Sequence, residues 1–205
     1  MEKRDFKKEF KQLYGPNGKI VTGVDVPKMN YLMIDGAGSP GETNMEFQLA
    51  IEALFSLSYT IKFYLKKNQG IDYGVMPLEG LWWAENMADF DPETGNRNNW
   101  RWTLMIMQPE FVTNELVMSQ KSEVMKKKSL AAIDRVRFEA LEEGKSAQIM
   151  HIGPFAVEGP NVQRIHDFIA ENGGVRSSKH HEIYLSDFRR VNPEKMKTIL
   201  RQPYK

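Results

Sequence analysis

The sequence predicts an α+β protein made of two similar halves. Strand-length apolar runs alternate with amphipathic helical segments along the 205 residues. Each half opens with an apolar strand ending in the pattern Met-x-x-Gly, at residues 33–36 and 150–153. A repeat of this kind predicts two units related by a pseudo-two-fold axis, with the helices on one sheet face and a ligand cleft on the other.

The first half-unit is expected to span about residues 29–110, after a charged lead-in over residues 1–28. Residues 29–35 form an apolar strand, and Thr43 with Glu46 makes a capping box for a long helix that ends at Gly70. Two strands follow, over residues 72–83 and 100–108, and a polar loop over residues 85–99 separates them.

The second half-unit is expected to span about residues 130–205, joined to the first by a helix over residues 113–128. Its elements are a hairpin over residues 136–151 turning around Gly144, a helix ending at Gly173, a strand over residues 180–187 and a short helix starting at Pro193. Residues 29–205 are therefore predicted to form a single domain.

Composition and charge exclude several classes of protein. Lys and Arg number 28 against 27 acidic residues, so direct binding to nucleic acid is not expected. The chain has no cysteine and no long apolar window, which argues against disulfides, thiolate metal sites and a membrane span. The stretch 36–41 lacks a phosphate-loop pattern, so no cofactor is expected. We expect a cytoplasmic protein.

The strand at residues 180–187 carries the leading candidate for function. Its alternation puts Glu182 and Tyr184 on one face and Ile183 and Leu185 on the other, where they are expected to pack on the helices. A carboxylate directed inward needs donors, a cation or a wet cavity, which makes Glu182 a candidate site residue. The alternative is a strand at a sheet edge with Glu182 in solvent.

Large aromatic residues cluster next to this candidate in the sequence. Aligning the two halves sends Glu79 and Trp83 toward the cleft, and Trp100 and Trp102 share one face of the neighbouring strand. Flat rings beside a carboxylate are typical of sites for aromatic or cationic ligands. The alternative for each tryptophan is an ordinary core position.

A metal site is not expected. His180, His181 and Glu182 are adjacent, so on a strand they point to opposite faces, and no other histidine has ligand spacing. The Gly-x-Ser-x-Gly motif of a serine nucleophile is also absent.

Several motifs resemble those of the GyrI-like small-molecule-binding family, over roughly residues 20–203. The C-terminal ones are His-Glu-Ile-Tyr-Leu-Ser-Asp from His181, Asn-Pro-Glu-Lys from Asn192 and Leu-Arg-Gln-Pro from Leu200. Pro-Leu-Glu-Gly-Leu-Trp-Trp from Pro77 and Trp-Arg-Trp from Trp100 are similar to the stand-alone branch of that family. The resemblance implies a duplicated β-α-β-β (SHS2-type) fold around a central groove.

The resemblance also implies ligands that are hydrophobic and often cationic, with Glu182 at the position that meets the cation. Fewer than 30 residues precede the first strand, which leaves little room for the helix-turn-helix of the family's regulators. The tryptophan pattern resembles the subset that hydrolyses cyclopropane-bearing DNA alkylators. A protein partner such as gyrase is implied by analogy alone.

Two hypotheses follow from these observations. In the first, Glu182 positions or deprotonates a water molecule and Tyr184 donates a hydrogen bond to developing oxygen charge, while Trp83, Trp100 or Trp102 holds a strained ring. In the second, the same pocket sequesters hydrophobic cations without chemistry.

Overall fold

The computed structural model describes residues 3–41, 43–86, 89, 95–187 and 189–205. Within them the predicted α+β class is confirmed, with an eight-stranded antiparallel sheet. The strands are β1 (Thr22–Val26), β2 (Met29–Ala37), β3 (Leu78–Trp83), β4 (Arg101–Gln108), β5 (Arg137–Leu141), β6 (Gly144–Ile152), β7 (His180–Tyr184) and β8 (Lys197–Pro203). The helices are α1 (Phe6–Glu9), α2 (Lys11–Tyr14), α3 (Met45–Gln69), α4 (Asn114–Lys127) and α5 (Gly159–Glu171).

The sheet is built from two β-α-β-β units. Its strand order is β1-β6-β8-β7-β3-β4-β2-β5. The unit β2-α3-β3-β4 supplies three adjacent strands, and β6-α5-β7-β8 supplies the three that mirror them. The units meet where β3 pairs with β7, so the pseudo-two-fold axis passes between these two central strands.

The long helix α3 begins one residue later than predicted from the capping box. The Asn44 side chain, and not that of Thr43, accepts a hydrogen bond from the Phe47 amide. At the other end Gly70 adopts the left-handed conformation, as expected of a terminating glycine. The connecting helix α4 is capped by Thr113 and packs on α3.

Two predictions for the second half are wrong. Strands β5 and β6 do not form a hairpin with each other, because β5 pairs with β2 and β6 pairs with β1 at the other end of the sheet. The helix expected from Pro193 is a single 3₁₀ turn (Pro193–Lys195), followed by β8 between β6 and β7. Proline fits the first position of either kind of turn, so its presence could not decide between them.

Two short connections require the sheet to curl. Strand β1 ends at Val26 and β2 begins at Met29, although six strand spacings separate them in the sheet order. In a flat sheet that is roughly 29 Å, whereas three residues span at most about 11 Å. The connection between Leu141 and Gly144 imposes the same limit. The two ends of the sheet are therefore drawn together. We call the face that they enclose the inner face and the opposite one the outer face.

The segment before residue 29 packs against this inner face. Phe6, Leu13 and Tyr14 are buried in the main core, and β1 is hydrogen-bonded to β6. Among the described residues, no helix combines the length and the apolar character needed to cross a membrane.

Both α3 and α5 pack on the outer face of the sheet, which is also the face that carries Glu182. Phe47 of α3 contacts Trp82, which lies opposite His180, and Ile165 of α5 packs with Leu200, which lies opposite Glu182. The expectation of a cleft on the face away from the helices is therefore wrong. The groove lies on the helix side of the sheet, where residues of α5, β3 and β7 line it.

Candidate functional site

The floor of the groove is the central strand pair β3 and β7. Glu182 lies directly opposite Gly80, with Tyr184 opposite Leu78 and His180 opposite Trp82. Residues opposite each other in an antiparallel pair project to the same face, so all of these side chains face the helices. The predicted alternation of β7 is confirmed, since His181 and Ile183 point to the inner face and are fully buried.

A chain of hydrogen bonds fixes Glu182 on this floor. The Trp82 indole Nε1–H donates to the Tyr184 hydroxyl at 3.0 Å, and that hydroxyl donates to Glu182 Oε2 at 2.8 Å. Gly80 makes the chain possible, because a Cβ at this position would come within 2.8 Å of Trp82 Nε1 and 3.1 Å of the Tyr184 hydroxyl. The proton of Tyr184 is thus directed at the carboxylate.

Gly80→Ala is expected to disrupt this chain and destabilise the fold by about 1–3 kcal/mol, the usual cost of overpacking a tight site. Urea unfolding followed by tryptophan fluorescence measures the loss. Gly74→Ala is the control, since a Cβ there meets only the Lys3 Cε at 3.9 Å. Equal stability of the two variants would contradict the packing account.

Aromatic side chains surround the groove, which has a volume of about 950 Å³. Trp82 and Trp100 meet edge to face with ring centroids 5.9 Å apart, and Phe155 meets Tyr184 in the same way at 5.7 Å. Trp83 also lines the groove. Ring faces and edges of this kind form a wall suited to flat apolar ligands.

A second carboxyl group shares the groove with Glu182. Glu158, in the turn before α5, lines the same cavity, and its carboxyl lies within hydrogen-bonding reach of the Glu182 carboxyl. Burial raises the pKa of both groups, and repulsion between the two charges raises the pKa of Glu158 further. Like-charged neighbours that cannot both ionise hold one proton between them. The pKa of Glu158 is raised to about 9 and that of Glu182 to about 7, so Glu182 is the acid of the two that ionises first and Glu158 keeps the shared proton.

Three cationic side chains also line the groove, and none of them forms an ion pair with Glu182 or Glu158 among the described residues. They are Arg97, Arg176 and Lys179, and the Lys179 ammonium lies 3.3 Å from the centroid of the Trp83 ring. This cation–π contact occupies one face of Trp83. His180 lies 3.8 Å from Glu182, but burial lowers the pKa of His180 to about 4, so the imidazole is neutral.

Trp102 and Glu79 lie outside the groove. Trp102 is completely buried against Gly36 and Phe47, in the packing between α3 and the sheet. Glu79 lies on the inner face, opposite Ile183, and is also completely buried. Of the six residues proposed from the sequence, the structure brings Glu182, Tyr184, Trp83 and Trp100 together and separates these two from them.

Glu79 instead belongs to a buried ionic network on the inner face. It accepts hydrogen bonds from the Tyr14 hydroxyl and from His181 Nε2, both at 2.9 Å. His181 Nδ1 donates to Glu143 at 3.0 Å, and the Arg201 guanidinium donates to the same carboxylate at 3.1 Å. Both ring nitrogens of His181 therefore face carboxylates, which requires the doubly protonated imidazolium.

The charges in this network stabilise one another. Burial alone lowers the pKa of His181, but Glu143 and Glu79 outweigh that effect and raise it to about 9. Burial likewise raises the pKa of Glu143, and His181 with Arg201 lowers it to about 2. Two cations and two anions thus balance in a site that excludes water.

Sequence reasoning missed Glu158 and Trp82. Glu158 lies just before the second amphipathic helix, where an acid reads as a residue at a helix N-terminus. Trp82 is adjacent to Trp83 in the sequence, so the pattern alone does not show which ring lies over the floor. The register that places Gly80 opposite Glu182 shows that it is Trp82. A glycine between two bulky strand residues was the available signal, because it marks a close approach of side chains.

The duplicated fold and the aromatic groove agree with one known family. The model of the GyrI-like small molecule binding domain matches residues 21–205. The chain belongs to the GyrI-like family. The family is one of small-molecule-binding domains.

Three solved structures from Listeria innocua are similar to this GyrI-like chain over its whole length. An uncharacterized conserved protein is 43% identical, with a TM-score of 0.89, over 99% of this chain and 100% of the other. Two proteins described as hydrolases are 40% and 42% identical, with TM-scores of 0.85 and 0.88, over 99% and 100% of this chain and 100% of theirs. No curated protein matches the sequence.

Proposed function

We propose that the groove binds hydrophobic aromatic compounds and adds water to a strained ring in them, hydrolysing cyclopropane-bearing DNA alkylators. The observation that carries the proposal is the Glu182 carboxylate, fixed by Tyr184 on the floor of an aromatic cavity. The two hydrolases from Listeria innocua add support for water-using chemistry.

In the proposed reaction Glu182 takes a proton from water as the water oxygen bonds to a ring methylene carbon. The ring carbon–carbon bond breaks, and its electron pair passes through the conjugated system to a carbonyl oxygen, which then takes a proton from solvent. Arg97 and Lys179, two cations that line the groove, suit the oxygen that gains charge. Tyr184 is a positioning residue, since its proton is directed at Glu182.

Trp82 and Trp100 hold the flat part of the ligand in this proposal, while Lys179 already covers one face of Trp83. A large aromatic surface held against the floor brings the reactive carbon to the water on Glu182. Positioning of this kind reduces the entropic part of the barrier.

A second candidate function is reversible binding of hydrophobic cations. The two carboxyls form no ion pair with any lysine or arginine among the described residues, so the ligand would supply the positive charge. Such a binder would release its ligand unchanged.

The deciding experiment uses a spirocyclopropyl dienone and a lipophilic cationic dye in water enriched in oxygen-18. We expect mass spectrometry to find a ring-opened phenol carrying one heavy oxygen, formed faster than in buffer. Recovery of only unchanged dienone, together with saturable dye binding, would leave the reversible binder as the function.

A further inference from the structure

We propose that Glu158 and Glu182 work as a linked acid and base, and that the groove opens epoxides of aromatic compounds to diols. The inference rests on the proposed function in one respect, the activation of water by Glu182. It adds a second substrate class and a catalytic role for Glu158.

The two carboxyls come from different parts of the fold and meet in one cavity. Glu182 lies on β7, at the centre of the sheet, and Glu158 lies in the turn that leads into α5. Their side chains are within hydrogen-bonding reach of each other, so a proton can pass between them directly. The Oε2 atom of Glu158 is buried and accepts no hydrogen bond from any donor among the described residues.

An unpaired buried carboxyl oxygen is costly in a folded protein unless a ligand meets it. Tyr184 donates to one oxygen of Glu182, whereas no hydroxyl or amide in the described part of the chain donates to Glu158 Oε2. Glu158 is therefore the acid of the pair whose proton is not directed at a protein acceptor other than Glu182 among the described residues.

The contact between the two acids limits the substrates that can use both. A base and an acid that touch must serve substrate atoms that lie close together. In an epoxide the attacked carbon is bonded to the oxygen that leaves, so both atoms lie next to the pair. In a cyclopropane conjugated to a carbonyl, the oxygen that gains charge lies on the far side of the ring. Glu158 can then protonate the leaving oxygen of an epoxide. It cannot reach the carbonyl oxygen of the dienone.

The epoxide reaction balances without any other reactant. Water gives a proton to Glu182 as its oxygen bonds to the epoxide carbon. The carbon–oxygen bond breaks, and the leaving oxygen keeps the electron pair and takes the proton of Glu158. Glu182 now carries the proton and Glu158 the charge, and transfer between them restores the starting state. The net change is addition of one water molecule.

Aromatic walls select among epoxides. Trp82, Trp100 and Phe155 present ring surface beside the acids, which favours an epoxide attached to an aryl group. An unsubstituted alkyl epoxide would leave that surface in contact with water and should react more slowly.

Styrene oxide is the probe, assayed for phenylethanediol by chromatography in parallel with the spirocyclopropyl dienone. Wild-type protein should form the diol faster than buffer does. Glu158→Gln should slow the epoxide reaction by about 10²- to 10⁴-fold and the dienone reaction by less than about tenfold. Glu182→Gln should slow both reactions. Glu171 is an exposed acid at the other end of α5. Glu171→Gln is therefore the control and should change the rate of neither reaction.

The outcomes separate this inference from the proposed function. If the dienone is opened but styrene oxide is not, the inference is overturned and the proposed function stands. If neither is opened, both fail. Equal loss of the two activities in Glu158→Gln also overturns the inference, because it indicates a structural role. Circular dichroism and binding of an aromatic dye verify that the variant is folded.

A pH profile provides a readout that a structural role would not give. Epoxide opening needs Glu182 charged and Glu158 protonated, so its rate should pass through a maximum, whereas dienone opening should rise with pH and level off. Burial raises the pKa of both acids, so the rise and the fall of the rate should both occur at a higher pH than the titration of exposed carboxyls. The other titratable or charged groups around the pair are Tyr184, His180, His181, Arg97 and His166. A level profile for styrene oxide would overturn the inference.

Discussion

Glu182→Gln is expected to slow ring opening of the dienone by about 10²- to 10⁴-fold, the usual contribution of a general base. The amide keeps the shape of the side chain but cannot take a proton from water. The Tyr184 hydroxyl can still donate to the amide oxygen, so the local geometry survives. The loss should therefore appear in kcat, while the affinity for a neutral aromatic ligand changes little.

Stopped-flow absorbance at the dienone band measures this rate in the wild type and the variant. Tyr184→Phe is a useful companion, because it removes the donor that fixes Glu182 but leaves the base in place, and we expect a smaller loss. A wild-type rate in Glu182→Gln would eliminate Glu182 as the base. The wild-type rate should also fall on acidification above the range of an exposed carboxyl, because burial raises the pKa of Glu182.

Glu143→Gln is expected to lower the free energy of unfolding by about 3–5 kcal/mol, the usual cost of removing one partner from a buried ion pair. His181 and Arg201 both bind this carboxylate, and the Glu143 side chain is only 3% exposed. The substitution leaves two buried cations facing one carboxylate, Glu79. The adjacent Glu142 is exposed, so Glu142→Gln provides a matched control with an expected change within about 0.5 kcal/mol.

The same network predicts how stability depends on pH. The pKa of Glu143 falls from 4.5 to about 2 on folding, so its contribution is present above 4.5 and is lost as the pH falls through 2. The pKa of His181 rises from 6.5 to about 9, so its contribution is present below 6.5 and is lost as the pH rises through 9. Both contributions are complete between about pH 4.5 and 6.5.

Urea unfolding at pH 5.5 and pH 9.5 tests the effect of Glu143→Gln and the loss of the His181 contribution at high pH. The wild type should lose stability at the higher pH, and Glu143→Gln should lose less between the two values, because its His181 has lost its largest attraction. If Glu143→Gln and Glu142→Gln unfold at the same urea concentration, the network contributes nothing to stability.

Local patterns predicted the elements that depend on nearby residues. The apolar run of β2, the helix α3 with its terminal Gly70, and the connecting helix α4 capped by Thr113 follow from periodicity and end signals, and the structure confirms them with small shifts at their ends. The family and its fold class could also be predicted, because the motif from His181 resembles that of the family. The structure places this motif on β7, at the centre of the sheet.

Long-range pairing explains what the sequence did not reveal. Strand β8 contains Arg201, which reads as a surface residue, yet Glu143 and Gln148 neutralise and bind it in the interior. The register of β3 against β7 decides whether Glu79 or Gly80 shares a face with Glu182, and a shift of one residue reverses that choice. Glu158 joins the site only because α5 packs beside the floor.

The two short connections that curl the sheet also determine how the chain can fold. Strand β1 pairs with β6, and the Arg201 guanidinium binds the Leu13 carbonyl 188 residues away, so few of the contacts that close the sheet are local. Contacts between distant residues slow folding, because the chain loses the entropy of closing large loops before these contacts stabilise it. On the ribosome, the first half-unit would keep the β3 edge of its sheet open until β7 emerges.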